Sequence, residues 1–300
     1  MKLCREESKI LNDNLSGSSE ILEISIRYIL SRLVRKNLSQ TEIVNLRLFT
    51  KRVAEQHRPM KAVVNGMKEI ERMLNRYGAD SALIIQNLSG CLDAQLKIET
   101  KILNNCERLF RKKVSVAVYS NSGMVKKVLS RFRSRIKAVY ISESRPVCEG
   151  KIMAEFLSQI GLQVHFMVDM LLFEKIVDAD YLILGADSVW ENSFLNKIGS
   201  RALLENAGAH GIKRIVVFES TKLSQRISGH LQIQPPDEVW SGRHRGISII
   251  NRYFEIIPNS VVDTFVSDLG ISASKTLHRW IKKAAEKAAF SSAEYFPFPD

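Results

Sequence analysis

Apolar residues recur at three- and four-residue spacing through the first third of the chain, as they do on one face of a helix. The clearest runs are Leu22, Ile26, Ile29, Leu33 and then Val63, Met67, Ile70, Leu74. No alternating run of the kind typical of a strand interrupts them. The pattern predicts a helical N-terminal domain over residues 1–112.

After this region the period changes to short, β-branched apolar runs separated by helix-like segments. The runs are Val114–Val118, Ile136–Ile141, Leu162–Met167, Tyr181–Leu184 and Arg214–Phe218. The helix-like segments begin near Gly123, Glu149, Asp169 and Leu195. A sixth strand at Tyr253–Ile257 and a helix after Pro258-Asn259 are also compatible with the pattern. The alternation predicts an α/β fold whose second domain, residues 113–270, is a Rossmann-like, mainly parallel doubly wound sheet.

The last segment, residues 271–300, is predicted to form a C-terminal helix and tail. Leu277, Trp280 and Ile281 share one face of a basic amphipathic stretch that extends over residues 272–290. Such a helix either docks on its own domain or serves as an interaction helix for a partner or a membrane surface.

Composition narrows the class of protein. The 300 residues are 45% apolar, enough for two packed domains, and no apolar run approaches the roughly 18–20 residues of a membrane span. The N-terminus lacks a secretory pattern, so we expect a cytoplasmic protein that does not enter the membrane. The four cysteines form no CxxC pair and the six histidines show no metal-ligand spacing. We therefore expect reduced thiols, with neither a metal nor a cofactor.

The formal charge of +12 raises the question of a nucleic-acid partner. The basic clusters, such as Arg111-Lys112-Lys113 and Lys126-Lys127, lie on or beside predicted helices without interleaved aromatic residues. This pattern favours ordinary solvated faces, followed by a small phosphorylated ligand or an acidic protein partner, over nucleic acid.

Polar loops follow three of the predicted strands, and such loops share one edge of a doubly wound sheet. After the first strand, Ser120, Asn121 and Ser122 lead through a glycine into a helix, a turn that suits a phosphate. After the second strand, Arg145 offers a planar fork for an oxyanion. After the fourth comes Asp187.

Two further segments extend this candidate site. Asn196 and Lys197 follow Asp187 and are expected to lead into a helix. Ser16, Gly17 and Ser18 precede the first strong helix, where they either cap it or also offer backbone N–H groups to a ligand.

Three segments, ESRPVCEG, LILGADSVWENSFLNKIGS and VFESTK, together resemble a known ligand-domain signature. It is shared by ribose-1,5-bisphosphate isomerase, methylthioribose-1-phosphate isomerase and the alpha, beta and delta subunits of initiation factor 2B. Upstream, SGSSEIL and HRPMKAVVNGM resemble the helical N-terminal domain of that family. The resemblance covers most of residues 16 to 270.

The resemblance implies roles for individual residues. Asp187 matches the isomerases' acid/base aspartate, and Asn196 with Lys197 matches the pair that holds the substrate. Arg58 and Arg145 match arginines of the ligand site, and Lys222 falls beside it. Two positions depart from the isomerase pattern: Ser120 stands where the catalytic cysteine is expected, and Ser16 where the phosphate loop begins with arginine.

Because a serine hydroxyl is a far weaker acid than a thiol, the loss of the cysteine favours a protein that binds a sugar phosphate or nucleotide-like ligand without turnover. Such a regulatory or sensing homologue is the first hypothesis. The second is an active aldose–ketose isomerase with Asp187 as acid/base. The third is an interaction module of a translation-related assembly. The resemblance also implies a homodimer or a hexamer and a translation-factor partner. The site requires Asp187, Asn196, Lys197, Arg58 and Arg145 to surround one cavity.

Overall fold

The computed structural model describes residues 4–34, 39–78, 80–224, 232–242 and 245–282. Its first 110 residues contain five α-helices and no strand among the described positions. They are α1 (Arg5–Leu11), α2 (Ser18–Leu33), α3 (Gln40–Gln56), α4 (Lys61–Tyr77) and α5 (Ser81–Cys106). Local signals set their starts: Ser39 caps α3 together with Glu42, and Asp80 accepts a hydrogen bond at the start of α5.

The apolar faces predicted from the periodicity form the core of this helical part. Ile26 and Ile29 of α2 and Val63 and Met67 of α4 are each at most 1% exposed and pack in one cluster. Two turns of α5 near Ile102 instead pack with the core of the following sheet. The helical part is therefore seated directly on the second half of the chain.

Among the described residues that follow, there are ten strands and four α-helices with both ends described. The strands are β1 (Val114–Val118), β2 (Ile136–Ser142), β3 (Val164–Met167), β4 (Tyr181–Leu184), β5 (Ser188–Val189), β6 (Ser193–Lys197), β7 (Lys213–Val217), β8 (Phe254–Pro258), β9 (Thr264–Ser267) and β10 (Gly270–Ser272). The helices are α6 (Gly123–Arg131), α7 (Gly150–Gln159), α8 (Asp169–Lys175) and α9 (Ser200–Ala209).

Seven of these strands form one sheet in the order β10-β9-β7-β4-β1-β2-β3, parallel except for β10. The predicted α/β class, with a helical region before a mainly parallel sheet, is confirmed. β2 and β3 follow β1 in order toward one edge of the sheet. The chain then crosses back, and β4, β7, β9 and β10 follow on the other side of β1. The carboxyl ends of β1 and β4 consequently flank the point where the winding direction reverses, which is where open α/β sheets bind ligands.

A second, three-stranded antiparallel sheet has the order β5-β6-β8. It corrects the expectation of a helix beginning near Leu195, because that residue lies within β6 and α9 begins only at Ser200. The pairing of Ser193 with Pro258, far along the chain, stabilises β6 as a strand. The helix expected after Pro258-Asn259 is likewise wrong: a single 3₁₀ turn there leads into β9.

The predicted basic C-terminal helix over 272–290 lies outside the described residues from position 283 onward. Its described part contains a strand end at Ser272, a 3₁₀ turn at Ser274–Thr276 and helical residues at 278–282. Leu277 and Ile281 are buried in the cluster that contains Leu182 and Val216, on the face of the sheet opposite to α5. This part of the segment docks on its own domain, while the domain bounds at 112 and 270 stay predictions.

Candidate functional site

A cleft of about 320 Å³ lies at the reversal point of the sheet, beneath the N-terminal helices. Its floor is formed by the loops after β1 and β4, and its walls by the segment before α2, the α3–α4 connection and β6. The two floor loops touch, because a Cβ added at Gly185 would lie 2.5 Å from Ser122 Oγ. Glycine thus permits the approach of the two loops that the topology requires.

Two helix starts meet in this cleft. Gly17 is the N-cap of α2 and Ser122 that of α6, and a Cβ added at Gly17 would lie only 3.4 Å from the backbone nitrogen of Gly123. Ser18 Oγ and Asn121 Oδ1 are buried there without a hydrogen-bond partner. The Gly17 N–H already donates to Glu20 Oε2 at 3.1 Å. The other N–H groups of the two first turns, with the partial positive charge of the helix N-termini, suit an anion such as a phosphate.

Ser120 joins a buried charged network at the end of β1. Its backbone is in the left-handed region, with φ of 67°, and its N–H donates to Ser144 Oγ at 2.9 Å. The Ser120 hydroxyl donates to Glu149 Oε1 at 2.7 Å. Lys197 Nζ lies 2.8 Å and 2.9 Å from the two oxygens of the same carboxylate. Glu149 and Lys197 are each 4% exposed, so this is a buried ion pair with a serine attached.

Asp187 lies beside this network and is largely enclosed, while keeping access to the cleft. Burial raises its pKa above the ordinary value, and the charge of Glu149 adds to the effect. The positive charges of Lys222 and Lys197 lower the pKa of Asp187, and so does the nearby Ser18 hydroxyl. Ser18 Oγ nevertheless lies outside hydrogen-bonding geometry with Asp187. A carboxyl group with a raised pKa is suited to acid–base chemistry or to donating a hydrogen bond.

Backbone contacts hold the Asp187 loop in place. The Asp187 N–H donates to Leu195 O at 2.9 Å, and its carbonyl accepts from the Lys61 N–H at 3.2 Å. Asn196, on β6, is 6% exposed and donates to Ser200 Oγ at 3.0 Å. Lys222 is 5% exposed and lines the same cleft.

Most predicted site residues come together, and two do not. The residues that line the cleft are Ser16, Gly17, Ser18, Ser120, Asn121, Ser122, Asp187, Asn196, Lys197 and Lys222. Arg58 is exposed and does not contribute to the lining, although its neighbours His57 and Pro59 do. Arg145 is also exposed and outside the cleft, because its guanidinium donates to Val239 O and its N–H to Asp169.

Sequence reasoning missed several residues of the cleft. Glu149 is the most central, and it stands within the segment ESRPVCEG that had already been singled out. Tyr253 lies under the Lys197 ammonium, 5.3 Å from ring centroid to nitrogen, and its hydroxyl donates to Glu238. The buried His57 donates from Nε2 to Ile10 O, 2.9 Å away, and burial lowers its pKa.

Within the described part of the chain, no group of three or more His, Cys, Asp or Glu side chains is arranged to hold a metal ion. In the same residues, no helix combines the length and apolar character of a membrane span.

Comparison with known proteins finds a match to the model of the initiation factor 2 subunit family over residues 18–274. Ribose 1,5-bisphosphate isomerase of Methanocaldococcus jannaschii is 25% identical over 225 residues, covering 71% of this chain and 69% of the relative. Methylthioribose-1-phosphate isomerase of Alkalilimnicola ehrlichii is 32% identical over 150 residues, covering 45% of this chain and 43% of the relative.

Solved structures share the fold. 5-Methylthioribose 1-phosphate isomerase of Pyrococcus horikoshii OT3 superimposes with a TM-score of 0.78 at 19% identity, covering 94% of this chain and 87% of that structure. Translation initiation factor eIF-2B of the same organism gives 0.73 at 17%, with 90% and 98% covered. A tetrameric eIF2B-beta2-delta2 complex from C. thermophilum gives 0.63 at 16%, with 94% and 92% covered.

Proposed function

Because the chain belongs to the initiation factor 2 subunit family, we propose that its cleft binds a sugar phosphate and that the protein acts as a regulatory or sensing homologue. Relatives named as sugar-phosphate isomerases support the ligand class. The observation that carries the proposal is the meeting of two helix starts beside Asp187 and Lys197, with Ser18 Oγ and Asn121 Oδ1 buried and unpartnered. The helix starts take the phosphate, and the polar side chains take the sugar hydroxyls.

Thermal denaturation with a panel of pentose and hexose phosphates tests this proposal. A ligand that binds only the folded state at 100 times its Kd adds about 2.7 kcal/mol of stability. We expect at least one sugar phosphate to raise Tm, and unphosphorylated ribose and inorganic phosphate to raise it less. No shift with any phosphorylated sugar would refute the proposed ligand class.

A pair of charge variants locates the phosphate. Ser122→Asp keeps a good N-cap residue on α6 but places a negative charge at the proposed phosphate position. Ser39→Asp makes the same change at the exposed N-cap of α3, outside the cleft lining. We expect Ser122→Asp to lose the response to the ligand and Ser39→Asp to keep it. Equal responses would place the phosphate elsewhere.

The regulatory role is supported by Ser120, which stands where the family resemblance places a catalytic cysteine. A second candidate is an active aldose–ketose isomerase, favoured by the raised pKa of Asp187 and by the hydrogen bond from Ser120 to Glu149, since a serine needs a base. Incubation with aldose phosphates in deuterated water separates the two. Exchange of a carbon-bound proton that Asp187→Asn abolishes would establish turnover, whereas background exchange would support sensing.

Assembly is a further part of the proposal. The tetrameric complex among the structural neighbours supports association of this chain into a homodimer or larger ring, and a translation factor as partner. Light scattering during gel filtration tests the oligomer: a monomer at micromolar concentration would contradict it.

A further inference from the structure

The charges that line the cleft are unexpected for a chain of net charge +12. Among the described residues that line it, four carry carboxylates, Asp13, Glu149, Asp187 and Glu238, and two carry ammonium groups, Lys197 and Lys222. The arginines that were expected to neutralise a ligand lie outside. Among the described residues, the lining therefore carries no surplus of positive side chains, and the two helix starts are the described groups that favour an anion.

Lys197 is not available as a phosphate-binding group. Both oxygens of Glu149 lie within 2.9 Å of its ammonium, and the pair is buried. Glu149 cannot readily turn away, because the Ser120 hydroxyl also donates to it and Ser120 is itself held by Ser144. Lys197 is further restrained against the ring of Tyr253. A phosphate that approached Lys197 would also approach the negative charge of Glu149, in a site shielded from solvent.

The anion site at the helix starts and the charge of Glu149 together determine which phosphate esters fit the cleft. Resting on the sugar-phosphate function above, we propose that the ligand is a sugar monophosphate and that Glu149 excludes a second phosphate from the Lys197 end of the cleft. The phosphate lies at the starts of α2 and α6. The other end of the sugar presents hydroxyl groups, which donate hydrogen bonds to the Glu149 and Asp187 carboxylates. The volume of about 320 Å³ is at the small end of ligand pockets and suits one pentose monophosphate.

Isothermal titration calorimetry with ribose 1-phosphate, ribose 5-phosphate and ribose 1,5-bisphosphate, at one pH and salt concentration, tests the proposal. We expect the wild-type protein to bind at least one monophosphate about tenfold or more tightly than the bisphosphate. Glu149→Gln removes the charge but keeps the shape and an oxygen for Ser120 and Lys197, so we expect it to narrow the preference about tenfold or reverse it. Glu155→Gln makes the same change on the exposed face of α7, outside the cleft lining, and should leave the preference unchanged.

The possible outcomes separate this proposal from the function on which it rests. Equal or tighter binding of the bisphosphate by wild type would overturn the exclusion of a second phosphate and leave the sugar-phosphate function standing. An unchanged preference in folded Glu149→Gln would overturn the role of Glu149. Binding of none of the three esters would overturn the inference. If, in addition, no pentose or hexose phosphate raises Tm, the proposed function is overturned as well. If Glu149→Gln does not fold, the wild-type preference alone decides the ligand class.

Discussion

The buried pair of Lys197 and Glu149 makes a strong prediction about stability. Replacing Lys197 with Met removes the ammonium and leaves the Glu149 carboxylate buried, with only the Ser120 hydroxyl as a described partner. Breaking a buried ion pair in this way costs about 3–5 kcal/mol, because the remaining charge has no compensation. The lost contact of the ammonium with the Tyr253 ring, at 5.3 Å, acts in the same direction.

The size of the effect on Tm follows from the length of the chain. With about 2.1 cal/mol/K of unfolding entropy per residue, a 300-residue protein loses about 5–8 °C of Tm for this destabilisation. Differential scanning calorimetry measures Tm, and urea unfolding measures the change in free energy. The double variant Lys197→Met with Glu149→Gln removes the unpaired charge as well, so we expect it to recover at least half of the loss.

An exposed ion pair provides the control. Lys175 lies 3.8 Å from Asp178, and both side chains are 45% exposed. Lys175→Met should cost no more than about 1 kcal/mol. If Lys197→Met is as mild as Lys175→Met, or if the double variant is no more stable than Lys197→Met alone, the buried pair does not have the energetic role assigned to it.

Three further substitutions and one labelling experiment have defined outcomes. Burial raises the pKa of Asp187 above its ordinary 3.8, so its ionisation lowers native stability as pH rises above about 4. In urea unfolding, Asp187→Asn should therefore gain stability relative to wild type between pH 4 and 7.5. A difference in unfolding free energy that does not change with pH would contradict this. Gly150→Ala should destabilise by about 1–3 kcal/mol or more, because the new Cβ would lie 1.9 Å from Ser142 O. Gly90 lies in the middle of α5, where an added Cβ would meet nothing within 4 Å, so Gly90→Ala should stabilise the protein by about 0.5–1 kcal/mol. A Tm of Gly150→Ala equal to or above that of Gly90→Ala would refute the packing described. Burial raises the pKa of Cys106 to about 12, so pulse alkylation read by mass spectrometry should label it only after denaturation.

Strands that are buried on both faces could be predicted closely from the sequence. Val114–Val118 and Tyr181–Leu184 have the predicted bounds, because a short continuous apolar run is what a central parallel strand requires. β6 could not be recognised in the same way. Its apolar and polar residues fit either a strand or a helix start, and its partner β8 lies more than fifty residues further along the chain.

The candidate site was predictable where it follows from topology. Loops after β1 and β4 must meet at one edge, so Ser120, Asn121 and Asp187 could be placed together without coordinates. The direction of a long side chain does not follow from topology. The sequence therefore could not predict that the Arg145 guanidinium donates to Val239 O instead of entering the cleft. The pairing of Glu149 with Lys197 depends on how α7 and β6 approach each other, and no spacing in the sequence encodes that approach.

A crystal structure of the protein grown with a sugar monophosphate tests the central claim most directly. We expect the phosphate at the N-termini of α2 and α6, within hydrogen-bond distance of the Ser18 hydroxyl, and the sugar hydroxyls against Asp187 and Glu149. A phosphate bound on Lys197, on Arg58 or outside the cleft, or an empty cleft at saturating ligand, would contradict the account.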